Sequence, residues 1–320
     1  MSWKQFTKLR CFPIKLNSYK SKPNNKMIIN LGNDIKKELC VRISHRLENL
    51  ENLPYELSHK KEINDIKNLY VYSFDKINNF NYIKNYDEAE LFSDQLKDIK
   101  HMHGNVSHTI KDAFRNIVIN PEKITITNNV LDDFYYKRIG IRTIIGYYNS
   151  IFDNTSYINS DCNPYNIIQT CIDDINIIAQ DYGYYNNINY NGPKKFQFTY
   201  IDSHLYYIIF EILKNSVQAG VNRDLNNNID ISISTGKKDL IIKISDLAGG
   251  FPRQKVKKIY EYYYSNTKEE TQLSGYGVGL PLARVYSRFF GGDLIIIPYD
   301  GIGTDALIFI NRINPNEQYL

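Results

Sequence analysis

The sequence predicts an α+β protein in two parts: an antiparallel helical bundle, then an α/β sandwich. Two observations carry this. Between Asp34 and Phe152 apolar residues recur at helical spacing in four long stretches joined by short connections. Beyond them, short alternating runs are interleaved with helical ones, the order expected when helices cover one face of a sheet. The divisions read from this texture are a basic leader over 1–33, a bundle over 34–155 and a second domain over 156–320.

Composition sets the frame. A chain of 320 residues, 42% hydrophobic and 23% charged, has the material for two domains. A net charge of +4 is too small to imply nucleic acid. No run approaches the roughly 18 apolar residues of a membrane helix. Cys11, Cys40, Cys162 and Cys171 form no CxxC pair, which argues against a disulfide framework or a zinc site and fits a reducing compartment. In the leader, Lys4, Lys8, Arg10, Lys15, Lys20, Lys22 and Lys26 all precede the first acid, Asp34. It reads equally as an organelle transit peptide and as a basic surface arm.

In order, the bundle helices are expected over Ile35–Asn52, Asn64–Phe80, Glu88–Asn116 and Asn128–Phe152, the last with a stripe of Leu131, Phe134, Ile141, Ile144, Ile145 and Tyr148. Asn163 is placed to cap a helix with Pro164 in its first turn, running to about Gln180. Phe196–Ile201 alternates as a strand. Ile229–Ser234 and Leu240–Ser245 alternate about a turn at Gly236–Asp239, a hairpin. A helix is expected over Gln254–Tyr264 and another from Pro281, with final strands at Leu294–Ile297 and Ala306–Ile310.

The chemistry concentrates in Glu211–Gly220. On a helix, Glu211, Lys214, Asn215 and Gln218 fall at i, i+3, i+4 and i+7, one polar stripe, while Leu205, Ile209, Ile212, Leu213 and Val217 lie on the other side. A carboxylate can take a proton or hold a water, and an amide oxygen one turn on can ligate a hard cation such as Mg²⁺. A polar stripe alone is most often a solvated face; the glycine stretches that follow give it weight. Asp246-Leu-Ala-Gly-Gly-Phe-Pro follows a strand and places the Asp246 carboxylate at the sheet end, where it can accept from an exocyclic amine of a flat ligand or close an Asx-turn. Gly275-Tyr-Gly-Val-Gly-Leu-Pro runs into a helix, an arrangement that lets backbone N–H groups cradle phosphate. Neither GxGxxG nor GxxxxGK[ST] occurs, so a dinucleotide fold and a P-loop are excluded. Between these stretches, Arg253–Ser274 reads as a lid or a plain loop.

These boxes, in this order, resemble the GHKL ATP-binding fold. The chain is more closely similar to the mitochondrial kinases of 2-oxo acid dehydrogenase complexes, the pyruvate and branched-chain types. The matches are SHLYYIIFEILKN (Ser203–Asn215), GYGVGLPLARVYSRFFGGDL (Gly275–Leu294) and GIGTDALIFI (Gly301–Ile310), with RIGIRTII (Arg138–Ile145), LYVYSFDKI (Leu69–Ile77) and VRISHRLENLENLP (Val41–Pro54) in the helical part. They span about Asp34 to Ile313, and the helical motifs are the ones specific to this kinase family.

The resemblance implies a GHKL-type α/β sandwich binding ATP and Mg²⁺, and a protein-serine kinase of the mitochondrial matrix that shuts off its complex by phosphorylating the dehydrogenase α subunit. It implies Glu211 as general base, Asn215 as Mg²⁺ ligand, and Asp246 with Thr304 at adenine. Gly250, Gly275, Gly277, Val278, Gly279 and Leu280 would shape the nucleotide and phosphate loops. In HMHGNV (His101–Val106), His103 would approach and tune Glu211, with His101 and His108 as competitors for that role. Implied partners are the α subunit, a lipoyl domain and a second copy of the chain; nucleic acid and a transmembrane segment are not expected. Ala248 and Gln218 depart from a glycine and an arginine usual in the family, and the lid is short. No long tail with an Asp-Trp pair precedes the end at Leu320, a departure that bears on both lipoyl docking and the dimer crossover. Rival readings are an ATP-binding pseudokinase serving as a regulatory module, a histidine autokinase and a GHKL motor-type ATPase.

Overall fold

The computed structural model describes residues 2–12, 23–114, 121–181, 183–184, 187–223, 228–237, 239–262 and 277–312. They form two compact units, one running to Tyr157 and one beginning at Ile158.

The first unit is helical: α1 (Trp3–Phe6), α2 (Asn25–Glu51), α3 (Tyr55–Ser58), α4 (Lys61–Asn78), α5 (Tyr86–Met102), α6 (Val106–Phe114) and α7 (Pro121–Phe152). Helix α2 begins inside the stretch set aside as leader. Asn24 caps it, accepting from the Met27 N–H at 2.9 Å, and Ile28 and Leu31 are already buried. The apolar period therefore continues upstream of the first acid, and residues from Asn25 on belong to the bundle. Close approach of α2 and α7 depends on Gly32, where a Cβ would meet Tyr148 Oη at 2.5 Å and Ile83 Cδ1 at 2.8 Å. Within α2, Arg42 Nε donates to Glu38 Oε1 at 2.6 Å in a buried ion pair. Removing one member of such a pair typically costs about 3–5 kcal/mol, because the other charge is left buried alone.

The helix expected over Glu88–Asn116 is two helices. Its break falls at His103-Gly104-Asn105, where His103 caps α5 through N–H donation to Ile99 O at 3.1 Å. The His103 ring turns inward against Tyr70, centroids 4.5 Å apart. Burial of that ring, together with the glycine beside it, outweighs continuation of the helix.

The second unit runs β1 (Asn159–Cys162), α8 (Pro164–Gln180), β2 (Asn187–Asn191), β3 (Phe198–Tyr200), α9 (Asp202–Val221), β4 (Asn228–Thr235), β5 (Asp239–Asp246), α10 (Gly279–Phe289), β6 (Asp293–Tyr299) and β7 (Gly303–Asn311). The main sheet has the order β2-β4-β5-β7-β6; β2 is parallel to β4 and the other pairs are antiparallel. The expected hairpin is β4–β5, closed by Gly236 N donating to Asp239 O at 2.9 Å. Asn163 caps α8 through its side chain, with Pro164 at the first position. One sheet face buries Ile231, Ile242, Ile244, Leu294 and Ile308, and α9 buries Leu205, Ile208, Ile209, Leu213 and Val217. Each such side chain contributes roughly 1.5–3 kcal/mol by leaving water. The opposite sheet face carries half-buried Ile241, Leu307 and Phe309, with Lys243 paired to Asp305 at 2.8 Å.

Over its described part, the helix expected at Gln254–Tyr264 is instead two single 3₁₀ turns, Arg253–Lys255 and Lys258–Tyr260. A tertiary contact overrides helical propensity here. The Tyr260 hydroxyl donates to Leu294 O at 3.1 Å and accepts from Ile296 N at 3.0 Å, so the turn is tied to the edge of β6. Arg284 lies over the same ring, 4.3 Å from its centroid. Among the described residues no helix is long and apolar enough to cross a membrane.

Candidate functional site

Helix α9 forms one wall of a cleft of about 270 Å³. It presents Glu211, Asn215 and Gln218, as the polar stripe requires, together with Ser216, Ala219, Asn222 and Arg223. The Glu211 side chain is buried at 8% exposure, and the Lys214 ammonium spans both its oxygens, 2.9 Å from Oε1 and 2.8 Å from Oε2. The first residue of α10, Gly279, sits against this carboxylate: a Cβ there would overlap Glu211 Oε2. Glycine lets the positive end of α10 come directly against the acid; a larger residue would push the carboxylate aside.

The opposite wall is built from β5 and the turn that follows it. Asp246 ends β5 at 7% exposure. Its Oδ1 accepts from Ala248 N at 3.0 Å, an Asx-turn, and its Oδ2 accepts from Ser216 Oγ at 3.1 Å. Burial raises the Asp246 pKa above the ordinary 3.8, opposed by the Ala248, Ser216 and Thr304 hydrogen bonds. Gly249 and Gly250 follow at φ 77° and 53°, left-handed backbone that favours glycine. A Cβ at Gly250 would overlap the carbonyls of Tyr299 and Gly303. Ala248 is outside the left-handed region, so its methyl strains nothing in the backbone; it lines the cleft. Thr304, in register with Asp246, lines the floor.

The structure thus brings Glu211, Asn215, Asp246, Gly250, Gly277, Gly279, Leu280 and Thr304 to one cleft. Val278 caps α10 and is buried outside the lining. Gly275 lies outside the described residues, as does most of the predicted lid. Ser216, Arg223, Phe251 and Ile259 also line the cleft and were not singled out from sequence. Ser216 was legible in principle, being next to Asn215 on the helix. Arg223 depends on a contact with a turn 27 residues away.

His103 belongs to the first unit and is buried, unlike exposed His101 and His108. The Ser73 hydroxyl lies 2.9 Å from Leu69 O and 2.8 Å from His103 Nε2, so the ring is hydrogen-bonded within the first unit. Burial, reinforced by Arg138 and Arg142, lowers the His103 pKa from 6.5 to about 3. The native ring stays neutral where the unfolded one takes up a proton. The stability this gives is present above pH 6.5 and is lost as pH falls from 6.5 toward about 3. His103→Gln, which keeps a hydrogen-bonding group for Ser73, is expected to flatten the dependence of melting temperature on pH across that window. An unchanged slope would assign the acid lability elsewhere.

The cleft can bind a flat base through a buried acceptor, hold anionic oxygens at a helix start and take a proton at Glu211. Residues 201–313 match the family described as histidine kinase-, DNA gyrase B- and HSP90-like ATPase, and residues 12–170 match mitochondrial branched-chain alpha-ketoacid dehydrogenase kinase. A mitochondrial pyruvate dehydrogenase (acetyl-transferring) kinase of Arabidopsis thaliana is 30% identical over 94% of this chain and 89% of its own. The Drosophila melanogaster kinase is 27% identical over 88% of this chain and 76% of its own; human isozyme 1 is 27% identical over 88% and 72%. With similarity running through both units, the chain belongs to the mitochondrial 2-oxo acid dehydrogenase kinases, protein kinases built on the GHKL ATP-binding domain.

Proposed function

We propose that the chain is an ATP- and Mg²⁺-dependent protein-serine kinase of the mitochondrial matrix. It phosphorylates, and so inactivates, the dehydrogenase α subunit of a 2-oxo acid dehydrogenase complex. The observation that carries this is one cleft lined by the Glu211 carboxylate, the Asn215 amide one turn on, and the buried Asp246 carboxylate on the opposite wall. The relatives' names favour the pyruvate complex; the family matched by residues 12–170 is the branched-chain type, which keeps that substrate as the second reading.

Asp246 would accept from the adenine amine, Thr304 would support it, and Gly250 holds the left-handed backbone of the turn close to the Tyr299 and Gly303 carbonyls. Gly277, Val278, Gly279 and Leu280 would shape the phosphate segment at the start of α10, with Gly275 preceding them in the sequence. Asn215 would hold Mg²⁺, which when bound neutralises phosphate charge. Among the described residues no group of three His, Cys, Asp or Glu could hold a metal alone, so the remaining ligands would be phosphate oxygens and water. Glu211 accepts the serine proton as the serine oxygen forms its bond to the γ-phosphorus and the bond to the departing ADP oxygen breaks. Lys214 meanwhile holds the carboxylate in place. By the resemblance, His103 would tune Glu211. The bundle would supply contacts to the α subunit and a lipoyl domain. A second copy of the chain is the remaining proposed partner.

The test is label transfer from Mg²⁺–ATP to purified pyruvate-type and branched-chain dehydrogenase components. Acid-stable phosphoserine on one α subunit is expected. Acid-labile label on the chain itself would favour the histidine autokinase, steady hydrolysis without an acceptor the ATPase, and bound ATP without transfer the pseudokinase. Asn215→Ala is expected to weaken ATP binding about tenfold or more in Mg²⁺, the size of one lost charge-assisted contact. With Mg²⁺ chelated the two proteins should bind alike; equal affinity in Mg²⁺ would remove the metal role.

A further inference from the structure

We propose that Arg223 is a positioning residue for the nucleotide: its guanidinium latches the turn after β5 to the end of α9, and this latch sets affinity for the base. The inference rests on the reading of the cleft as an ATP site.

Arg223 follows the cap of α9, and its own N–H is fixed on Gly220 O at 3.1 Å. Nη2 donates to Gly250 O at 2.7 Å. Nη1 occupies the space a Cβ on Gly249 would need. One side chain thus engages both glycines that hold left-handed backbone, at φ 77° and 53°. From the other side the turn is held by backbone alone: Gly249 N donates to Ile302 O at 3.0 Å and Gly301 N to Gly249 O at 2.9 Å. The turn is therefore clasped between the β6–β7 connection and a single cation on α9.

Two further facts give this clasp a consequence. Among the described residues lining the cleft, Arg223 is the one cation. Arg223 lies past the C-terminal cap of α9, several turns beyond Glu211, so the latch sets the base-binding turn and leaves the Glu211 end of the helix in place. Arg223 is exposed, and its loss removes no core packing. Without it, Gly249 and Gly250 regain the backbone freedom that binding must then remove, at a cost in affinity.

The experiment compares wild type, Arg223→Met and Arg223→Lys in the full chain. Calorimetry measures Mg²⁺–ADP and adenosine binding, and hydrogen exchange reads the Gly249 and Gly250 amides without nucleotide. For Arg223→Met, both ligands are expected to lose affinity by the same factor, about tenfold for one charge-assisted hydrogen bond. Both amides should exchange faster. KM for ATP should rise while kcat at saturation stays within about twofold, since the latch acts on ground-state binding. Arg223→Lys, which keeps a charged donor, should recover part of the loss. Unchanged affinity in Arg223→Met overturns the latch. A loss confined to ADP, with adenosine unaffected, also overturns it, because the guanidinium would then act on phosphate. Wild type that binds neither ligand would instead sink the ATP-site reading on which the latch depends.

Discussion

Glu211→Gln is expected to lower phosphoryl transfer by about 10²–10⁴, the usual range for loss of a general base, while ADP affinity stays near wild type. Glutamine has the shape of glutamate, so the packing of the side chain against Gly279 survives. What is lost is the capacity to take the serine proton. The substitution also removes the charge facing Lys214, whose side chain is 12% exposed, so a modest drop in melting temperature is expected alongside the kinetic loss. Rate assays at saturating ATP, paired with ADP titrations, separate the two effects. Turnover at the wild-type rate would rule Glu211 out as the base.

Asp246→Ala is expected to abolish measurable ATP binding at ordinary assay concentrations. Hydrogen bonds to a charged group contribute about 1.5–3 kcal/mol each, so the lost adenine contact alone costs roughly 10–150-fold. Ser216 Oγ and Ala248 N also lose their acceptor, which loosens the turn that shapes the cleft. Stability should change less than affinity. Burial raises the Asp246 pKa, so ionising it in the folded state carries a cost that appears as pH rises above 3.8, and alanine removes that cost. In wild type the same shift means that nucleotide affinity should begin to fall, on acidification, at a pH above that of an ordinary aspartate. Tight ATP binding by Asp246→Ala would place the base elsewhere.

Much of this arrangement was legible because it is local. The capped start of α8 at Asn163-Pro164, the β4–β5 hairpin and the polar stripe of α9 are each set by residues a turn or two apart. The misses are non-local. Strand β2 has the sequence Asn-Ile-Asn-Tyr-Asn, poor in strand formers, and is a strand through its pairing with β4. Residues 254–260 have helical texture but follow the Tyr260 contact to β6. Helix α2 reaches back to Asn25 because burial, which composition does not reveal, continues there. In the site, the glycines carried their own signal, whereas Ser216 and Arg223 matter through acceptors on a distant turn.

The Tyr260 contact bears on how the sheet meets other molecules. Among the described residues strand β6 is an edge of the sheet, and an unpaired edge invites a strand from another chain to add to it. Here the Leu294 carbonyl and the Ile296 N–H are both taken by one phenol hydroxyl. A strand arriving along that stretch would have to displace a tyrosine held under Arg284. The side chain that ties down the turn therefore also occupies the backbone groups that an added strand would need at that border of the sheet.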